Sequence, residues 1–210
     1  MSKKNVAIYG ASSSIGKHLY RVMYGSKRYN IYRFGRDANK KVDTKIYDHL
    51  IFLQGYIGPK GITTHNKYSI AETLNINLIK TFEILQSKVQ SGSFSQGCNI
   101  VLCSSVSAQK GSFDPIYSAA KAGLIGMMKS FAMSVDNIRI NCICPSTIED
   151  SDMTINKMTN LHMEKKRLET LTGKLNRSKD IALIINDMCQ DHWKNMTGAC
   201  VDINGGSYLR

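Results

Sequence analysis

Short apolar runs alternate with longer amphipathic stretches along this chain. Asn5 to Tyr9 reads as a strand that meets a Gly/Ser turn, and a helix follows from about Ile15 to Tyr24. Tyr29 to Phe34 is a second strand and His49 to Leu53 a third apolar run. Ile70 to Val89 carries the helical period of a long helix. Asn99 to Cys103 is a strand followed by a polar loop, Tyr117 to Val135 a helix with small residues on one face, and Ile138 to Cys144 the next strand. Ser178, followed by Asp180 and Ile181, reads as the cap of a helix to about Cys189. Cys200 to Ile203 is a last strand, ending in Asn204-Gly205-Gly206. Alternating strand and helix predicts βα units and a doubly wound parallel sheet. Residues 150–177 are polar and poorly periodic, which predicts a mobile flap; the substrate flap as a whole is drawn at 147–177. No repeat or Pro/Ser-rich linker interrupts the pattern, so 1–210 reads as a single domain.

Length and charge narrow the function classes. A chain of 210 residues is long enough to bury a sizeable core. No apolar run reaches the length of a transmembrane helix, which speaks against a membrane protein. The N-terminus begins with lysines but has no small-residue cleavage site, and Gly10 cuts the apolar run short. The reading is a first strand in a cytoplasmic protein. Cysteines sit at irregular spacings, and Cys142-x-Cys144 falls in an alternating apolar run, the spacing of buried core thiols; no metal is expected. The net charge of +12 is spread out, with short clusters only at Lys3-Lys4, Lys40-Lys41 and Lys165-Lys166-Arg167. Nucleic-acid binders carry denser runs, so nucleic acid is not expected. A diffuse positive field favours phosphorylated cofactors, anionic substrates or an acidic carrier protein.

The candidate chemistry begins at Gly10-Ala-Ser12-Ser13-Ser14-Ile15-Gly16, a glycine-rich turn between strand and helix. Glycines let a backbone approach a pyrophosphate, and a helix N-terminus offers free N–H groups. The three serines add hydroxyl donors. A plain strand-to-helix turn is the competing reading. At the end of the second strand, Gly35 stands where an NAD site places an acid, while Arg33 and Arg36 suit a 2′-phosphate. NADP is therefore favoured, with NAD possible; solvated edge charges are the alternative. Tyr117 and Lys121 stand four apart on one helical face. A cation lowers a phenol pKa from its ordinary value near 10. Ser104 and Ser105 lie at a strand's carboxyl end, where open α/β sheets bind ligands.

Together these residues resemble the short-chain dehydrogenase/reductase family over Asn5 to Gly206. The run from Tyr117 through Lys121 to Gly126 is especially similar to 3-oxoacyl-acyl-carrier-protein reductases. Further motif positions are Asn77, Pro145 and Thr197-Gly198…Val201-Asp202…Gly205-Gly206. The resemblance implies a Rossmann-like fold and a set of roles. Tyr117 gives a proton to a carbonyl oxygen as hydride arrives, and Ser105 polarises that oxygen. Lys121 lowers the tyrosine pKa and binds the nicotinamide ribose. Asn77 holds a water linking Lys121 to solvent. Pro145 and Ile148 flank the nicotinamide, with Thr147 near its carboxamide. It also implies a homo-oligomer, dimer or tetramer, seamed by the helices around Ala119, Ala120, Ala122, Gly123 and Gly126 and around Ile76, Ile79, Ile84 and Leu85.

Several positions depart from the family pattern. Ser14 replaces the middle turn glycine. Phe52-Leu53-Gln54-Gly55 replaces Asn-Asn-Ala-Gly, losing side-chain amides that brace the sheet and the Asn77 helix, although Gly55 stays a cofactor contact. Pro145-Ser146 replaces Pro-Gly. Only Asp37 to Tyr47 separates the Arg36 strand from the next, which predicts a shortened third-strand region near Val42-Asp43 with one helix missing. Asp43 is still expected to reach the adenine amine. The serine spacing leaves Ser104 as the alternative to Ser105. The implied activity is carbonyl reduction or its reverse, on a 3-oxoacyl thioester, free or carrier-bound, or a small ketone. The alternatives are an NAD-dependent alcohol or sugar/polyol dehydrogenase and a non-catalytic cofactor sensor or scaffold.

Overall fold

The computed structural model describes residues 2–35, 44–59 and 61–209. Strands β1 (Lys4–Tyr9), β2 (Tyr29–Phe34), β3 (Tyr47–Phe52), β4 (Phe94–Cys103), β5 (Ile138–Pro145) and β6 (Cys200–Ile203) form one sheet. Their order is β2-β1-β3-β4-β5-β6, and every pairing is parallel. Side chains alternate across a strand, so each strand feeds two cores. Val6, Ile8, Ile51, Val101 and Ile143 face one side, where α1 (Ser14–Gly25) and α8 (Ser178–Met188) pack together through Leu19, Met23, Ile181 and Ile185. Ala7, Tyr9, Leu50, Phe52, Ile100, Leu102 and Cys142 face the other side, under Leu85 and under Leu124 and Met128 of α5 (Pro115–Ser134). Cys142 and Cys144 lie there as buried free thiols. Among the described residues no cluster of metal-ligating side chains occurs, and no helix is long and apolar enough to cross a membrane.

The long helix is less regular than its periodicity implies. Lys67–Leu74 (α2) and Lys80–Gln90 (α3) flank a π-helical turn at Asn75–Ile79. The extra residue in that turn rotates the face, and Asn77 enters the interior at 1% exposure. Asn66 caps α2 in a capping box with Ser69.

Two expectations are corrected. Ser178 does not cap α8. Arg177 is the cap residue, the Ser178 N–H donates to Asp150 Oδ1 at 2.7 Å, and the Ser178 hydroxyl is buried. The flap span contains two helices, α6 (Asp152–Ile155) and α7 (Asn160–Leu168), capped by Ser151 and Thr159. The expected short strand at Val42-Asp43, and Arg36 and Asp43 with it, lie outside the described residues.

Candidate active site

A cavity of about 1080 Å³ opens beyond the carboxyl ends of the central strands. Its floor is the turn after β1. Gly10 has φ +79°, and a Cβ there would stand 2.8 Å from the Leu53 carbonyl carbon and 2.9 Å from the Gln54 nitrogen. A Cβ at Gly16 would meet Ala11 backbone at 2.8 Å. The turn is thus pressed flat, and the first turn of α1 faces the cavity. Ser12, Ser13, Ser14 and Ile15 line it with Gly10; Gly16 supports it from behind. The Ser13 hydroxyl is committed to the turn, donating to Gly10 O at 2.8 Å and accepting from Gly16 N at 3.1 Å. That leaves Ser12 and Ser14 as hydroxyl donors. Ser14 does not have the positive φ that favours glycine, so serine fits its place.

Arg33 is not brought to the cavity. Alternation along β2 turns it to the α1 side, where its guanidinium lies 4.5 Å from the Tyr20 ring centre. Gly35 does line the cavity.

The reactive end lies where β4 and β5 finish. Ser104 points into the fold and donates to Lys121 O at 2.8 Å. Ser105, the next residue, lies close to the Tyr117 phenol and favours its ionised form. The Ser105 oxygen accepts from the N–H of Ser107, which opens α4 (Ser107–Lys110), at 3.1 Å. Of the two serines, Ser105 faces Tyr117. Burial pushes the Tyr117 phenol above its ordinary value; Cys103 adds to the shift, Ser105 opposes it, and Asp114 adds to it. Lys121 Nζ sits 5.7 Å from the Tyr117 ring centre, but it donates to Cys103 O at 2.8 Å and Gln54 O at 3.2 Å. Burial also holds the ammonium below its usual range. The expected lowering of the phenol by Lys121 is therefore not the dominant effect here. Two carbonyls hold the cation, and desolvation governs the phenol.

Asn77 braces the wall. Its Oδ1 accepts from Tyr56 N at 3.1 Å, and its Nδ2 donates to Tyr56 O at 2.7 Å and Thr73 O at 2.9 Å. Main-chain groups of Tyr56 thus stand in for the amides missing from Phe52-Leu53-Gln54-Gly55. Gly55, Pro145, Thr147 and Ile148 line the cavity, as do Met153 and Met158 of the flap.

Sequence reasoning missed Asp114. It caps α5 by accepting Tyr117 N–H at Oδ1, 2.9 Å, with Pro115 opening the helix. An Asp-Pro pair ahead of a small-residue run is a helix-start signal that marks it. The residues present fit a dinucleotide: a glycine cradle with no room for a Cβ, a helix N-terminus, and a hydroxyl, phenol and ammonium at the far end.

The family model described as Enoyl-(Acyl carrier protein) reductase matches residues 33–208. An uncharacterized short-chain type dehydrogenase/reductase of Sinorhizobium fredii is 36% identical over 122 residues, covering 54% of this chain and 46% of the relative. The 3-oxoacyl-acyl-carrier-protein reductase FabG of Aquifex aeolicus is 30% identical over 140 residues, covering 65% of this chain and 56% of its own. The chain thus spans about half the length of these curated relatives. A crystal structure of a short chain dehydrogenase family protein from Francisella tularensis superposes with a TM-score of 0.87 at 20% identity, covering 98% of this chain and 99% of that one. A small-chain dehydrogenase in complex with NADPH superposes at 0.85 and 20% identity, with coverages of 98% and 99%.

Proposed function

This chain belongs to the short-chain dehydrogenase/reductase family, and we propose that it reduces a carbonyl to an alcohol, or the reverse, with NADP(H) preferred. The observation that carries the proposal is that Ser105, Tyr117 and Lys121, one helical turn on, line one end of a cavity floored by the glycine turn. A nicotinamide dinucleotide, when bound, supplies or accepts the hydride. Gly10, Ser12, Ser14 and Ile15 would hold its phosphates, and Pro145, Thr147, Ile148 and Gly55 its nicotinamide half. Lys121 exchanges a carbonyl contact for a ribose hydroxyl. Ser105 directs the substrate oxygen toward Tyr117. The phenol then donates its proton to that oxygen in reduction and withdraws it in oxidation. A raised phenol pKa keeps the proton in place at neutral pH, which favours the reducing direction.

The cofactor preference is supported by Gly35, which offers no carboxylate to a ribose 2′-hydroxyl, and by the net charge of +12. The test is oxidation of NADPH and NADH with a panel of 3-oxoacyl thioesters, small ketones and aldehydes. NADPH is expected to bind about tenfold tighter than NADH, in line with a charge-assisted phosphate contact. Equal dissociation constants would remove the preference, and an inert panel would remove the reductase reading.

An oligomer built through α5 belongs to the same proposal. Ala119, Ala122 and Gly126 are exposed there, and nothing stands within 4 Å of a Cβ at Gly126. The adjoining helix exposes Tyr68, Ile79, Phe82 and Val89. Other small residues serve this chain's own packing: Ala120 is buried, and a Cβ at Gly123 would meet Leu78 at 2.8 Å. Leu85 is also in the core, because the π turn rotates the face. Light scattering should give a multiple of 23.4 kDa for the parent, and Gly126→Glu should reduce it to one chain. A parent mass of 23.4 kDa refutes the oligomer.

A further inference from the structure

We propose that His65 is a positioning residue that straps the cap of the Tyr117 helix to the cap of α2 and so sets where Tyr117 stands. The role in catalysis rests on the reading of Tyr117 as the acid; the strap is a matter of geometry alone. The His65 and Asp114 side chains are each 4% exposed, with Nε2 3.1 Å from Oδ1. The two atoms are close but not aligned as a hydrogen bond. The same Oδ1 accepts the Tyr117 N–H at 2.9 Å. On its other side the imidazole Nδ1 stands 3.4 Å from Ser69 Oγ. That hydroxyl accepts from Asn66 N at 3.0 Å and closes the capping box of α2. One ring thus touches the caps of both helices that bear on the site. α5 carries Tyr117, and α2 runs straight into the turn holding Asn77.

Burial explains why the strap matters. A carboxylate out of water is costly unless it has partners. Asp114 Oδ2 has no hydrogen bond among the described residues, so the charge leans on the Tyr117 N–H, the positive end of α5 and His65. The ring has little freedom to swing away. A Cβ at Gly58 would come within 2.9 Å of Thr73 Oγ1 and 3.4 Å of His65 Cε1. A second tie runs alongside, where Gly61 N–H donates to Phe113 O at 2.9 Å. Without the imidazole, Asp114 is left to seek water, and the first turn of α5, which contains Tyr117, loosens with it.

Hydrogen exchange read by mass spectrometry on the full chain tests this, using peptides covering 66–72 and 114–120. H65A is expected to exchange about fivefold faster in both, since caps govern the fraying of first turns. H65L fills the same space without a polar atom and should behave like H65A, which separates the strap from a void. H65Q, whose amide N–H reaches the carboxylate, should return to within about twofold of the parent. In D114N, where asparagine still caps but the charge is gone, adding H65A should change exchange at 114–120 no further. With NADPH and the best carbonyl of the panel, H65A should lower kcat about tenfold at constant KM, the mark of a displaced acid. Unchanged exchange at 114–120 in both H65A and H65L overturns the strap. Faster exchange with unchanged kcat overturns the positioning role. A parent inert with every carbonyl overturns the Tyr117 reading instead, and the exchange data still decide the strap.

Discussion

Replacing Tyr117 by Phe is expected to lower kcat about a thousandfold with the best carbonyl substrate, the size of effect assigned to a lost general acid. The substitution removes one hydroxyl and little else. The ring stays on α5, whose cap at Asp114 binds the Tyr117 backbone and not its side chain. Ser105 loses its phenol neighbour but keeps its bond from Ser107 N. Lys121 keeps both carbonyls. Dinucleotide affinity should therefore stay within about twofold, because the cradle around Gly10 is untouched. The parent's pH behaviour checks the same assignment. Burial raises the Tyr117 pKa, so the phenol stays protonated through the neutral range. Reduction should hold level toward alkaline pH, and alcohol oxidation, which needs the phenolate, should climb. A Phe variant that keeps a tenth or more of the parent kcat would show that another group delivers the proton.

How much of this was legible in the sequence depended on which force set each feature. β2 and β6 fall on the residues read from the sequence, because each is a short run bounded by polar or glycine turns. The π turn at Asn75–Ile79 left no such trace. It inserts a residue without changing composition, and only the inward turn of Asn77 reveals it. The flap helices α6 and α7 are short, and their stability comes from Ser151 and Thr159 caps rather than an apolar stripe, so periodicity passed over them. Within the site, spacing alone could not rank Ser104 against Ser105. Alternation past the end of β4 does, by sending one hydroxyl to Lys121 O and the other toward the phenol. Arg33 shows the same effect: alternation along β2 sends it to the Tyr20 ring rather than into the cavity. Lys121 was placed correctly but paired differently, since a buried ammonium takes whichever acceptors lie within reach, here two carbonyls.

Acid should weaken the fold through His49, at the far end of β3 from the cavity. His49 is 3% exposed, and neither ring nitrogen has a hydrogen-bond partner among the described residues. Tyr29 meets it edge-on at 5.9 Å. Burial, reinforced by Lys4, lowers its pKa from 6.5 to about 4. A base whose folded pKa is depressed prefers its neutral form in the native state. Its contribution is full above the unfolded value of 6.5 and is lost as pH falls from there toward 4, where the folded state also takes the proton. The lost stability approaches about 3 kcal/mol, a large part of the roughly 5–15 kcal/mol of an ordinary domain. Other groups titrate in the same window, so the parent curve alone does not isolate the effect. His49→Leu does, because an apolar side chain keeps the volume and has no proton to bind. Urea midpoints at fixed protein concentration should fall more steeply between pH 7 and pH 4.5 for the parent than for His49→Leu. The gap at the lower pH should be about 2.5 kcal/mol, with NADPH affinity at pH 7.5 alike in the two proteins. Parallel stability curves would mean that the imidazole accepts a proton in place without cost, and that the two bare nitrogens of His49 are served by solvent.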